Sequence, residues 1–139
     1  MIYVTERYEY DWLVSRGQEP LIDTFHFALD IRLRKQIQRE LFGNGRTQES
    51  NERFYRWCWA HKPHICEETM RPLHEYSAVY ISHILSRGAY AEMAIDPRNV
   101  NILCFEAHNR WENGDRKHMR IYNKNLMTIE LLKQDYSYE

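Results

Sequence analysis

The chain has 139 residues, of which 28% are charged and 14% are aromatic, and its formal net charge is −1. This size predicts one compact domain, and the near-zero charge excludes a protein whose overall field draws it to nucleic acid, so any DNA contact should be local. Three cysteines, an odd and low number, argue against a secreted disulfide framework. No signal peptide or membrane-length apolar run is visible, so we expect a cytoplasmic protein without a membrane partner.

The N-terminal thirty residues are the acidic part of the chain, with six carboxylates against Arg7 and Arg16. We expect an irregular arm that contains a strand near Ile2–Thr5. Such an arm could dock on the basic surface of a protein partner.

Two helices should follow the arm. Apolar residues at helical spacing predict a helix over Asp23–Phe42, which Gly43 and Gly45 would end. A second helix should begin at a cap formed by Ser50 or Asn51 and run to about His61. Its aromatic cluster is expected to pack in the core rather than to stack on nucleobases, and its members are Phe54, Tyr55, Trp57 and Trp59.

The second half of the chain predicts a strand, a turn, another strand and then helices. The expected elements are a strand over Tyr76–Ile84, a helical turn over Tyr90–Ile95, a turn at Asp96–Asn99, a strand over Val100–Phe105, a helix over Glu106–Asn113 and a last helix over His118–Gln134. The expected fold class is therefore α+β.

Three polar residues stand at the junctions of these elements: His83 at a strand end, Asn99 opening the next strand and His108 opening a helix. They lie in the stretches SHILSRG, DPRNVNILC and HNRWE. In this order the stretches resemble the HNH, or ββα-metal, endonuclease motif, and especially the NinG-like variant of phage recombination nucleases. The resemblance covers about residues 64–118. It implies an HNH core preceded by a helical extension over residues 1–63 and followed by a C-terminal helix over residues 119–139.

The resemblance implies a metal-dependent DNA endonuclease in a bacterial host that carries a phage or mobile element. His83 would be the general base, because a neutral imidazole can accept a proton from water near pH 7. Asn99 would either orient His83 or fix the loop that carries it. His108 would bind one divalent metal, and Glu112, four residues later on the same helix face, is the second ligand we expect. This pair would suit Mg²⁺, Mn²⁺, Ni²⁺ or Zn²⁺ without selecting one.

Three arginines are close enough in sequence to contact phosphates, namely Arg87, Arg98 and Arg110. Two features depart from the family pattern. Ser82 stands where many members have a metal-binding aspartate, so the first ligand stays open between Glu112, His74 and water. Cys66 and Cys104 are each one half of a Cys-x-x-Cys pair, which predicts an eroded zinc knuckle without a structural zinc.

These departures leave a second hypothesis open. The chain could be a non-catalytic module on a degenerate HNH scaffold, binding nucleic acid or a protein. An HNH toxin domain is a third alternative.

Overall fold

The computed structural model describes residues 31–137 and two short strands nearer the N-terminus. The chain divides into two compact units, Met1–Ile37 and Gln38–Glu139. In the first unit, strand β1 (Ile2–Tyr3) pairs antiparallel with strand β2 (His26–Phe27). The acidic side chains of the expected docking arm lie outside the described residues.

The first helix, α1, spans Ile31–Phe42. The predicted start at Asp23 is wrong, because His26 and Phe27 form the partner strand of β1. At these residues, strand pairing with a segment more than twenty positions earlier in the chain replaces the helix that the local spacing predicted. Gly43 ends the helix in a left-handed conformation, with φ of 86°, as its position predicted.

Helix α2 spans Gln48–His61 and begins three or four residues earlier than the two expected caps implied. Thr47 is the cap, and its side chain accepts a hydrogen bond from the backbone N–H of Ser50. The hydroxyl of Ser50 is used elsewhere, since it donates to the carbonyl of Phe42 and accepts from the N–H of Gly45. Ser50 therefore joins the two helices rather than capping the second.

A short antiparallel hairpin forms the centre of the second unit. Strand β3 (Ile81–His83) pairs with strand β4 (Val100–Ile102), with Ser82 opposite Asn101 and His83 opposite Val100. The strands are shorter than predicted. A 3-10 turn over Ala78–Tyr80 precedes β3, and its cap is the Ser77 side chain.

Two helices follow the hairpin, so the described chain is an α+β fold with four helices. Helix α3 spans Phe105–Glu112, close to the prediction, and helix α4 spans Tyr122–Asp135. The carboxylate of Glu68 receives the backbone N–H groups of Arg120 and Ile121, which fixes the entry to α4. That contact explains why the last helix begins later than the expected His118.

The core lies between α2, the hairpin and α3. Trp111 is its largest side chain, and its indole N–H donates to the carbonyl of Ile84 at 3.1 Å. Of the aromatic cluster in α2, Phe54 is fully buried and the other three rings are partly buried against the core, as expected. None of the described helices is long and apolar enough to cross a membrane.

Candidate active site

Asn99 holds the loop between the two strands of the hairpin. It is fully buried, and its side-chain amide donates to the carbonyls of Leu85 at 3.0 Å and Met93 at 3.2 Å. Its side-chain oxygen accepts the backbone N–H of Leu85 at 2.8 Å. Of the two roles open for Asn99, this geometry supports fixing the loop, since its side chain joins both ends of the segment that returns to His83.

The loop in turn orients the His83 ring. Nε2 of His83 lies 2.9 Å from the carbonyl oxygen of Ala94, the residue after Met93. A carbonyl can only accept, so Nε2 must carry the proton, and the neutral ring then has its lone pair on Nδ1. Within the described part of the chain, Nδ1 has no hydrogen-bond partner. This atom is therefore available as a proton acceptor.

Burial keeps the His83 imidazole neutral. Its ring stacks on Phe54 at 6.1 Å and meets the ring of Tyr55 edge-on at 6.1 Å. Desolvation by these neighbours is the largest influence and lowers the pKa of His83 to about 4. The positive charge of Arg87 lowers this pKa further, whereas the bond to Ala94 and the charge of Glu112 raise it.

His108 and Glu112 form a pair on α3. Nδ1 of His108 donates to the carbonyl of Val79, in the turn before β3, which leaves the Nε2 lone pair free. Nε2 lies 3.4 Å from Oε1 of Glu112. Both side chains lie near enough for their charges to act on the pKa of His83. His83, His108 and Glu112, which the motif predicted to share a site, are thus close enough to influence one another electrostatically.

The pair fits a cation that keeps open coordination positions. Two ligand atoms at about 2.0–2.2 Å from one ion can lie 3.4 Å apart, because this is less than the sum of the two bonds. Among the described residues, no three His, Cys, Asp or Glu side chains are grouped to hold a metal ion. A hard divalent cation can nevertheless take one or two protein ligands and fill its other positions with water and phosphate.

The three candidate arginines have different environments. Arg87 is exposed and forms no ion pair within the part that the structure describes. Arg110 is half-exposed and pairs with Asp115 at 3.2 Å. Arg98 is buried, and its guanidinium binds Asp96 at 2.8 Å and Asp135 at 2.6 Å. The expectation that Arg98 contacts phosphate is corrected, because two carboxylates already neutralise and cover this side chain.

Ser82 lies on the other face of the hairpin. Successive residues of a strand point to opposite faces, so the side chain of Ser82 lies on the face opposite to that of His83. It shares this face with Asn101, its cross-strand neighbour. Asn101 exchanges hydrogen bonds with Asn125 of α4. Ser82 is fully buried, and its hydroxyl has no partner among the described residues. It is thus placed in a polar layer beneath α4, away from His108 and Glu112.

The two cysteines of the expected knuckle are neighbours in the structure. Cys66 accepts the backbone N–H of Thr69 at 3.4 Å, and Arg71 donates to the sulfur of Cys104 at 3.4 Å and to Thr69. Burial raises the pKa of Cys66, but hydrogen bonds from Cys104 and Thr69 outweigh it and the pKa is lowered. The Arg71 guanidinium therefore links the two halves of the expected knuckle through polar contacts.

Among the described residues, three other histidines are not grouped with His108 and Glu112 as metal ligands. His61 and His64 stack on Trp57 and Trp59, at centroid distances of 4.1 and 3.7 Å. Each imidazole also bonds to the carbonyl of the tryptophan on which it stacks. His74 is exposed.

The site also contains residues that the sequence analysis assigned only to the core. Phe54 and Tyr55 reach His83 from α2, nearly thirty residues earlier in the chain. Their signal in the sequence was only the amphipathic spacing of α2. Comparison with protein-family models, with curated proteins and with solved structures finds no match to this chain.

Proposed function

We propose that this protein hydrolyses phosphodiester bonds in DNA, with His83 as the general base and His108 and Glu112 as ligands of one divalent metal. The observation that carries the proposal is the bond from Nε2 of His83 to the Ala94 carbonyl. This bond leaves Nδ1 of the neutral imidazole without a proton. The charges of His108 and Glu112, which form a pair on α3, also act on this ring.

In the proposed reaction Nδ1 of His83 removes a proton from water, and the resulting hydroxide attacks phosphorus while the bond to the leaving oxygen breaks. A divalent cation on His108 and Glu112 would neutralise charge on the phosphate and the leaving oxygen. The exposed Arg87 can approach the phosphate. A polyanionic substrate close to His83 raises the pKa of the ring, which strengthens it as a base.

The test is cleavage of single-stranded, duplex and branched DNA with Mg²⁺, Mn²⁺ or Ni²⁺, with and without a chelator. We expect His83→Ala to lower kcat by about 10²- to 10⁴-fold, the usual contribution of a general base. His118→Ala is the matched control, because His118 is exposed and lies on the turn before α4. Cleavage that survives His83→Ala, or a wild-type protein that cuts none of these substrates, would contradict the proposal.

One observation favours the alternative of a non-catalytic binding module. Among the described residues of α3, His108 and Glu112 are the only side chains that lie close enough together to share a metal, and Ser82 faces away from them. The alternative predicts that His83→Ala binds DNA or a protein partner as tightly as the wild type does. It also predicts that no DNA is cleaved in the presence of Mg²⁺, Mn²⁺ or Ni²⁺. The same set of proteins therefore separates the two functions.

A further inference from the structure

We propose that Tyr55 is a substrate-contacting residue of this site, and that its hydroxyl donates a hydrogen bond to a non-bridging oxygen of the phosphate next to His83. The inference rests on the proposed function. It adds Tyr55, which lies on α2, to the site formed by the motif residues. It depends on three features: the position of Tyr55, its electrostatic surroundings and the free hydrogen-bonding capacity of its hydroxyl.

The position of Tyr55 follows from the packing of α2 against the hairpin. Phe54 points into the core and is fully buried, and its ring stacks on His83. Tyr55, the next residue, is only partly buried, and its ring meets His83 edge-on with centroids 6.1 Å apart. One ring thus covers His83 from the core side, and the other lies at the border between His83 and solvent.

The electrostatic surroundings favour an anion between these groups. The charge of Arg87 acts on both Tyr55 and His83, whose ring centroids lie 6.1 Å apart, so its positive field reaches the place where the two rings meet. Arg87 is exposed and makes no ion pair with any described residue. A phosphate in this region would meet one guanidinium and the neutral imidazole that is to accept the proton of water.

The hydroxyl of Tyr55 can act as a donor there. Burial raises the pKa of Tyr55, with Arg87 opposing and Cys58 and Glu52 adding to the rise, so the phenol keeps its proton at neutral pH. Across the described residues the hydroxyl has no hydrogen-bond partner. A donor at a site where negative charge develops stabilises the transition state more than the ground state.

Single-atom removal tests this contact. We expect Tyr55→Phe to lower kcat/KM by about 10- to 100-fold, at or below the lower end of the roughly 10²- to 10³-fold effect of one lost donor to a developing oxyanion. Tyr122→Phe is the matched control, because Tyr122 also packs partly buried against the core but lies on α4. Both variants should keep the wild-type melting temperature, since neither hydroxyl has a hydrogen-bond partner to lose among the described residues.

A phosphorothioate substrate separates a phosphate contact from a packing role. Sulfur in place of the contacted oxygen is a poorer acceptor, so the wild-type protein should slow on one diastereomer and Tyr55→Phe should slow less. Wild-type rates in Tyr55→Phe would overturn the inference. Loss of activity only in Tyr55→Ala would also overturn it, by pointing to ring packing or base stacking.

A binding measurement keeps the outcome distinct from that of the proposed function. If the wild-type protein does not cleave, the proposed function fails. In that case the affinities of the wild type and Tyr55→Phe for a short single-stranded oligonucleotide test the hydrogen bond to phosphate without any need for cleavage. Weaker binding by Tyr55→Phe would support it, and equal binding would overturn it.

Discussion

His83 illustrates how one residue is governed by two opposing demands. Its ring is packed between Phe54 and Tyr55, which disfavours the charged imidazolium, and its Nε2 is tied to the Ala94 carbonyl. The first contact keeps the ring neutral, and the second selects the tautomer. Both help a general base, but the same burial lowers the pKa to about 4 and so makes the folded protein sensitive to acid.

Acid should therefore destabilise the protein through His83. Between the ordinary pKa of 6.5 and the folded value of about 4, the unfolded chain binds a proton at His83 that the folded chain does not. Above pH 6.5 the ring is neutral in both the folded and the unfolded chain, so the free energy of unfolding has its full value. As the pH falls from 6.5 towards 4, this free energy decreases by roughly 3 kcal/mol in total. Urea unfolding with a chelator present, near neutral pH and at about pH 4.5, should show a smaller acid loss in His83→Gln than in the wild type.

The exposed His118 supplies the control for this measurement. His118→Gln should lose stability with acid as much as the wild type does. An unchanged acid loss in His83→Gln would mean that groups other than His83 account for it.

At the scale of elements, the loop between β3 and β4 is held by one side chain rather than by regular structure. Its 3-10 turn over Ala91–Met93 has no side-chain cap, whereas Asn99 makes three hydrogen bonds to Leu85 and Met93. A second 3-10 turn, Pro97–Asn99, holds Asn99 itself, and the side chain of Asp96 caps it. The position of Ala94, and with it the tautomer of His83, depends on this arrangement.

Asn99→Ala should destabilise the fold by about 3 kcal/mol, because it leaves the buried N–H and carbonyl of Leu85 without partners and removes one of the two hydrogen bonds to the carbonyl of Met93. The measurement is chemical unfolding, with Asn123→Ala as the control on the exposed face of α4. We expect the control to stay within about 0.5 kcal/mol of the wild type. A loss below 1 kcal/mol in Asn99→Ala would show that water replaces these bonds and that the loop needs no clamp.

At the scale of the whole second unit, a buried polar network ties α4 to the hairpin. Arg98 binds Asp96 and Asp135, and the hydroxyl of Tyr136 donates to Asp96 at 2.9 Å. Gln38, at the start of the unit, donates to the same hydroxyl. The end of α1, the turn before β4 and the end of α4 are thereby joined.

Arg98→Met should cost about 3–5 kcal/mol, because it leaves the buried carboxylate of Asp96 and the mostly buried carboxylate of Asp135 without their counter-ion. Arg53→Met is the matched control, since Arg53 pairs with Glu49 on the exposed face of α2 and should cost less than about 1 kcal/mol. Thermal or urea unfolding measures both. If Arg98→Met instead kept its stability and lost DNA affinity, the phosphate role first expected for Arg98 would be restored.

The sequence by itself determined the order of the hairpin and α3, because this information is local. Asp96-Pro97-Arg98-Asn99 is turn chemistry wherever it lies, and the spacing of His108 and Glu112 places both on one face of any helix. The position of His83 at the end of a strand follows in the same way. Those parts of the candidate site could be predicted because neighbouring residues decide them.

Tertiary structure alone decided which distant groups meet. The helical spacing after Asp23 yielded to a strand pairing at His26–Phe27, and Arg98 was drawn into a buried ion pair by Asp135, a carboxylate 37 residues away. Tyr55 reaches His83 only because α2 packs on the hairpin. Burial and long-range pairing carry no local signature, so a residue's chemistry could be predicted from the sequence while its partners could not.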